Sequence, residues 1–422
     1  MDFFEFLDNS VTPAHTVAGL VSAFQAAGFR LNEPMMPARI EPGEGYCIVR
    51  GSSVIAVRVP RSIAQFPGFR IALAHTDFPT LKITPNPDRA SCGVQTLHPE
   101  IYGSPIFTSW LDRDLGYAGV LAYAEGGDVQ LKTFRGDKLF RIPQLAVHLN
   151  RGVNQDGLRV NPQTDLDALW SVVTGEKFEE TLQDELPEGA KLLDFDVQLF
   201  DAQKAAHGGM HDEWIYSGRL DNLSSCHAIA EAFIAAEPLE NDFAVACFFN
   251  NEEVGSMTRE GAGGNFLKSV LEEFLHTSFR DSDRIPSIDA LLASESIALS
   301  IDMAHAVHPN YPQKHEHNHA PLLGGGIVLK TNSQKRYASD VYSNARLKLL
   351  CEQANIKCQT FVMRNDMPCG STVGPTVSAS LGIPTVDIGE PMLSMHSIRE
   401  MTAARDHADM ISLLKVFYQD NA

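Results

Sequence analysis

The chain has 422 residues, 44% of them hydrophobic and 21% charged, the make-up of an ordinary globular protein with room for more than one domain. Its 34 lysines and arginines face 53 aspartates and glutamates, a formal charge of −19. That balance excludes nucleic acid or an anionic membrane surface as the main partner, because both need clustered cations. Any acidic ligand must be captured by a local positive group against the overall field.

The amino terminus, Met1-Asp2-Phe3-Phe4-Glu5-Phe6, lacks the basic flank and long apolar stretch of a signal peptide. No apolar run approaches the roughly 18 to 20 residues of a membrane helix. Thr12-Pro13, followed by an apolar-patterned stretch and Gly28, predicts a helix over 14–27 with a cap, a proline at the first turn and a glycine stop. Short apolar runs at 54–59 and 71–74 predict strands. From 85 to 211 the texture becomes β-like, with a hairpin of 117–123 and 129–134 turning at Gly126-Gly127-Asp128. Helix and strand then alternate: a helix over 224–236, strands at 243–249 and 297–301, a helix over 337–353, a strand at 383–388 and a closing helix over 402–418. This pattern predicts a discontinuous α/β domain, residues 1–84 and 212–422, interrupted by a β-rich insertion over 85–211. The seven cysteines include no C-x-x-C pair, and Cys226, Cys247 and Cys351 sit among apolar neighbours, so a reducing, cytoplasmic setting is expected.

Four of the apolar strands share one feature, metal-capable polar residues at or just past their carboxyl ends. Ala74 leads to His75-Thr76-Asp77, Phe249 to Asn250-Asn251-Glu252-Glu253, Ile301 to Asp302, and Ile388 through Gly389-Glu390-Pro391 to Ser394-Met395-His396. Ligands of open α/β sheets bind beyond the carboxyl ends of strands, so the four groups can converge. Asp221, in Gly218-Arg219-Leu220-Asp221-Asn222, is a fifth candidate. Taken singly, each has a plainer reading as a cap, a turn or a hydrogen-bonded pair. A single dinuclear site explains all five. In that site Asp221 bridges, His75 and Asp302 complete one metal, and Glu253 and His396 the other. Oxygen and nitrogen donors without thiolate suit Zn²⁺, with Mn²⁺ or Co²⁺ as substitutes. Asp77, on the same strand face as His75, is placed to orient the imidazole. The neighbouring Glu252 points the other way and is left free as a general base, taking a proton from water and returning it to the leaving amine. No G-x-S-x-G motif supports a serine hydrolase. Still open are another dinuclear hydrolase on the same scaffold, such as a carboxypeptidase or N-acyl amino acid deacylase, and a non-catalytic assembly or cargo protein keeping metals for structure.

These stretches, together with Met303-Ala304-His305-Ala306-Val307-His308-Pro309-Asn310 after Asp302 and Ser397-Ile398-Arg399-Glu400 after His396, resemble the aspartyl aminopeptidase family of dinuclear zinc peptidases. The motifs occur in order across nearly the whole chain. The resemblance implies a mixed-sheet α/β peptidase domain with helices on both faces and makes the insertion a dimerisation domain, with dimers assembling into a dodecamer. It implies the same metal ligands and base, and release of amino-terminal Asp or Glu from peptides; related members take neutral or basic residues. It also implies substrate contacts from His305, Lys330 and Tyr337, and from His148, reaching into the neighbouring subunit; from its own surroundings His148 reads as a packed strand residue. The chain lacks the amino-terminal extension of the family's vacuolar members, which again favours the cytoplasm.

Overall fold

The computed structural model describes residues 1–32, 39–63, 67–172, 175–282 and 285–419. Its centre is a nine-stranded sheet in the order Arg30–Asn32, Gly45–Arg50, Ser53–Arg58, Phe243–Phe249, Phe69–His75, Ile297–Ile301, Thr385–Gly389, Ile327–Thr331, Cys358–Val362. The four strands singled out from sequence are adjacent and mutually parallel. Every residue of Phe69–His75, Phe243–Phe249, Ile297–Ile301 and Thr385–Gly389 is buried, as expected for parallel strands covered on both faces.

Alternation along the strands sorts the core into two layers. Ala72, Ala74, Ala244 and Ala246 face the helices Pro13–Ala26, Leu220–Ala235, Val341–Gln353 and Ala404–Phe417. Ile71, Leu73, Val245 and Cys247 face Phe266–Ser278, Ile288–Ser294 and Val373–Leu381. The architecture is therefore mixed α/β with helices on both faces.

A second, wholly antiparallel sheet of six strands runs in the order Asp128–Arg135, Leu115–Glu125, Lys191–Asp201, Thr80–Ser91, Val94–Tyr102, Ala168–Ser171. It has its own core, including Leu81, Trp110, Tyr117, Phe140, Phe178 and Leu199. The change of texture at Pro85 falls inside its strand Thr80–Ser91, at a break in register between Ile83 and Asp88. Position 211 lies between Ala206–Gly208 and Trp214–Ser217, which belong to a third, five-stranded sheet completed by Glu400–Ala403, Pro391–Leu393 and Ala304–His305.

Several boundaries differ from the sequence expectation, and the helix expected over 224–236 starts at Leu220. The helix expected from Tyr337 starts at Val341, because Asp340 and Ser343 form a reciprocal capping box. The strand expected at 383–388 is Thr385–Gly389. Residues 400–403 pair as a strand with Trp214–Ser217 before the last helix begins at Ala404. A short first helix, Phe3–Asn9 capped by Asp2, carries too few residues to show a period. Among the described residues, no helix is long and apolar enough to cross a membrane.

Candidate active site

His75 ends the buried strand Phe69–His75 and is itself buried. Asp77 follows two residues later. Its Oδ1 accepts the Glu252 N–H at 3.0 Å and its Oδ2 the Glu253 N–H at 3.1 Å. One carboxylate thus fixes the turn carrying both glutamates. That turn is reached through Asn251 in a left-handed conformation, φ 65°, which a rigid framework must sustain in a non-glycine residue. Asp221 sits where the Leu220–Ala235 helix is not yet helical (φ −81°, ψ 103°), after a left-handed Arg219, and its peptide bond to Asn222 is cis. His396 is also left-handed, φ 68°.

The side chains converge. His75 Nε2 lies 3.5 Å from Asp221 Oδ1 and 3.8 Å from Asp302 Oδ1. His396 Nε2 lies 3.6 Å from the other Asp221 oxygen and 3.4 Å from Glu253 Oε1. Asp221 therefore shows one oxygen to each histidine. Ligand atoms of His75, Asp221 and Glu253 all lie within 4.8 Å of one another. His75 Nδ1 meets the Asp77 carbonyl at 3.0 Å and its carboxylate at 3.5 Å, and His396 Nδ1 meets the Ser104 carbonyl at 3.1 Å. Each ring is thus oriented from behind with its Nε2 turned inward. The residues open onto a cleft of about 520 Å³ that Glu252, Lys330, His305 and Tyr337 also line.

The electrostatics point to cations. Asp221 Oδ1 and Glu253 Oε1 are buried with no hydrogen-bond partner among the described residues, an arrangement costly for a carboxylate oxygen. Burial, then the Asp221 charge, raises Glu253 well above the usual carboxylate range. Burial pushes Glu252 up to about 7 and Glu400 up to about 8. Burial opposes charge on His75 and His396, yet the carboxylates facing them, Asp221 first, outweigh it, holding His75 well above its ordinary value and His396 at about 10. So much buried negative charge fits divalent metal, which would satisfy the orphaned oxygens. The donor set, imidazole and carboxylate without thiolate, fits zinc.

Three of the substrate contacts implied by resemblance line the same cleft. Lys330 is 2% exposed; its Nζ donates to the Met303 carbonyl at 3.1 Å and lies 3.7 Å from Asp302 Oδ2 and 5.4 Å from the Tyr337 ring centre. His305 packs on Phe361, and burial, then Lys330, lowers its pKa to about 4, so the ring is neutral. His148 is elsewhere. It lies in an exposed turn of the insertion, not in the packed strand its own surroundings suggested, and does not line this chain's cleft.

Two contributors were not singled out from sequence. Glu400, buried, accepts the His396 N–H at 2.7 Å and the Asp221 N–H at 3.1 Å, tying together the backbones of two ligand segments. Tyr102, at the end of an inserted-sheet strand, donates its hydroxyl to Asp77 Oδ2 at 2.7 Å. Glu400 falls within a quoted motif, four residues after His396, but only the fold buries it. Tyr102 carries no sequence signal.

A buried histidine–carboxylate cluster beyond the carboxyl ends of parallel strands, with a further glutamate on the same cleft, has the make-up of a metal-dependent hydrolase. Residues 6–418 match the family model described as Aminopeptidase I zinc metalloprotease (M18). The chain belongs to the M18 family of zinc aminopeptidases. It is 39% identical over 426 residues to a probable M18 family aminopeptidase 2 of Pseudomonas aeruginosa (strain UCBPP-PA14), covering 98% of this chain and 96% of that protein. Among solved structures, it is similar to the cryo-EM structure of the Ape4 and Nbr1 complex (34% identity, TM-score 0.92, 99% of this chain and 85% of that one). It is also similar to the S. cerevesiae mApe1 dodecamer (26% identity, TM-score 0.84, 99% and 95%).

Proposed function

We propose that the chain removes amino-terminal aspartate and glutamate from peptides, using two zinc ions per chain. His75, Asp302 and Asp221 would hold one ion, and Glu253, His396 and Asp221 the other. Mn²⁺ or Co²⁺ would be workable substitutes. The observation that carries the specificity is Lys330, a nearly buried ammonium in the cleft of a protein with net charge −19. Such a cation suits a substrate carboxylate that the overall field would otherwise repel.

The bound ions would supply Lewis-acid stabilisation of charge developing on the first peptide carbonyl. The protein's own groups divide the remaining work. Glu252 takes the proton of the attacking water on its carboxylate and delivers it to the leaving nitrogen. Asp77 keeps Glu252 in place through its backbone N–H. A bound ion with a carboxylate nearby would hold the free α-amine, whereas an acylated nitrogen would not be held, which limits cleavage to the first residue.

We further infer a homo-oligomer, a dodecamer built from dimers, with the insertion as the dimerisation domain and His148 completing a neighbour's site. Val129, Leu131, Leu145, Val147 and Leu149 on the insertion are all more than half exposed, which supports burial between subunits. Seven free cysteines support a cytoplasmic setting.

A panel of aminoacyl-nitroanilides under defined zinc tests this reading. Asp and Glu substrates are expected to exceed Ala, Leu and Lys by at least about tenfold in kcat/KM, a modest outcome for a polar pocket. N-acetyl-Asp substrate should be refused. Preference for Leu or Lys would overturn the assigned specificity, and release of acetate from N-acetyl-Asp would make the chain a deacylase.

A further inference from the structure

The stretch Tyr102-Gly103-Ser104-Pro105-Ile106, where the strand Val94–Tyr102 leaves the inserted sheet, runs against the candidate metal centre. The Tyr102 hydroxyl donates to Asp77 Oδ2 at 2.7 Å and accepts from the Asn251 side-chain amide at 3.0 Å. Gly103 is pressed against Glu253, since a Cβ built there would stand 3.2 Å from that of Glu253. The Ser104 carbonyl meets His396 Nδ1 at 3.1 Å, and the Ile106 N–H donates to the His396 carbonyl at 2.9 Å. One strap thus meets groups on both halves of the candidate metal centre, Asp77 behind His75 on one side and Glu253 and His396 on the other.

We propose that Tyr102 is a positioning residue for the metal centre and that the strap 102–106 ties the geometry of the centre to the inserted sheet. The inference rests on the metal assignment proposed above. Asp77 is the hub of the contact. Its two oxygens accept three hydrogen bonds, from the N–H groups of Glu252 and Glu253 and from Tyr102. Of these three donors, only the tyrosine comes from the insertion. Without the hydroxyl, Asp77 Oδ2 keeps a single donor and Asn251 loses an acceptor beside the glutamate turn. The carboxylate that backs His75 and carries Glu252 and Glu253 is then free to rotate. The centre should hold zinc less tightly and present Glu252 less accurately, while the Lys330 side of the cleft, which the strap does not touch, is unaffected. Lys82 Nζ stands 5.1 Å from the Tyr102 ring centre, a contact that phenylalanine keeps, so Tyr102→Phe isolates the hydroxyl.

The test uses the full-length protein and two readouts, zinc release to a chromophoric chelator and steady-state kinetics on Asp-nitroanilide. Groups that orient metal ligands typically contribute about 10- to 100-fold to metal affinity or activity. Tyr102→Phe should release zinc roughly tenfold or more faster and lower kcat by a similar factor, with KM changed less than about twofold. Because Tyr102 acts through Asp77, the effects of Tyr102→Phe and Asp77→Asn on zinc release should be strongly less than additive in the double variant. Zinc release and kcat both unchanged in Tyr102→Phe, or full additivity with Asp77→Asn, would overturn the proposal while leaving the metal assignment intact. A wild-type protein that retains no zinc would overturn the metal assignment and this inference with it.

Discussion

Lys330→Met tests whether a buried cation selects the substrate. The ammonium is 2% exposed, donates to the Met303 carbonyl and lies 3.7 Å from Asp302. Methionine fills a similar volume and can lie along the Tyr337 ring, so the pocket should keep its shape. What disappears is one desolvated charge. Truncating one member of a buried, hydrogen-bonded charge pair costs about 2 to 5 kcal/mol. Part of the charge already serves Asp302, so the lower half of that range applies, about 2 to 3.5 kcal/mol. At 1.36 kcal/mol per tenfold, this is roughly a 30- to 400-fold loss in kcat/KM for Asp-nitroanilide. Leu-nitroanilide makes no ion pair, and its kcat/KM should change by less than about threefold. The assay is the ratio of the two specificity constants at fixed zinc, with bound zinc measured on the same samples. If both substrates fall together, Lys330 serves the centre through Asp302 rather than the substrate, and the charge argument for acidic specificity fails.

Three further outcomes are expected. Glu252→Gln keeps the shape of the base and should lower kcat by about 10²- to 10⁴-fold with two zinc ions retained per chain, by elemental analysis; near-normal turnover would remove Glu252 from its role. Asp221→Asn weakens the one carboxylate that faces both histidines and should bring zinc content below about one per chain with activity lost, whereas two retained ions would contradict the bridging assignment. Acid should destabilise the fold through His227, whose pKa is lowered to about 4 by burial and then by His407, and less through the half-buried His15, lowered to about 4 by burial and then by Arg135. Both pKa values lie below the unfolded 6.5, so the unfolded chain takes up the proton first. Stability is present above pH 6.5 and is lost as pH falls toward 4, on the order of 3 kcal/mol for His227. Urea midpoints measured from pH 7.5 to 4.5 check this, and a slope unchanged in His227→Asn would refute it.

The fold class and the convergence of the candidate site residues were legible in the sequence because both rest on one local signal. An apolar run followed at once by His, Asp or Glu marks a buried parallel strand and the rim above it. The run 243–249 before Glu252-Glu253 and the run 297–301 before Asp302 matched strands of the same extent. Contacts set by distant pairing were not legible. Tyr102 reaches Asp77 only because an inserted strand ends at the rim, and Glu400 is buried only because residues 400–403 pair with Trp214–Ser217. That same pairing turned part of an expected helix into strand, tertiary context overriding local pattern. His148 illustrates the opposite difficulty: an apolar neighbourhood reads as core, yet those side chains point outward. The helix from Val341 was decidable in principle, since Asp340 and Ser343 carry the cap.

The four alanines under the Leu220–Ala235 helix govern the height at which Asp221 stands. They form a floor one methyl thick, and Cys226, one turn along the helix, reaches the His75 carbonyl at 3.0 Å. A bulkier residue at Ala72 or Ala74 would act as a shim, lifting the helix and carrying Asp221 away from both imidazoles without altering any group that performs chemistry. The spacing of this catalytic apparatus is thus gauged by side-chain volume in a layer that never meets the substrate.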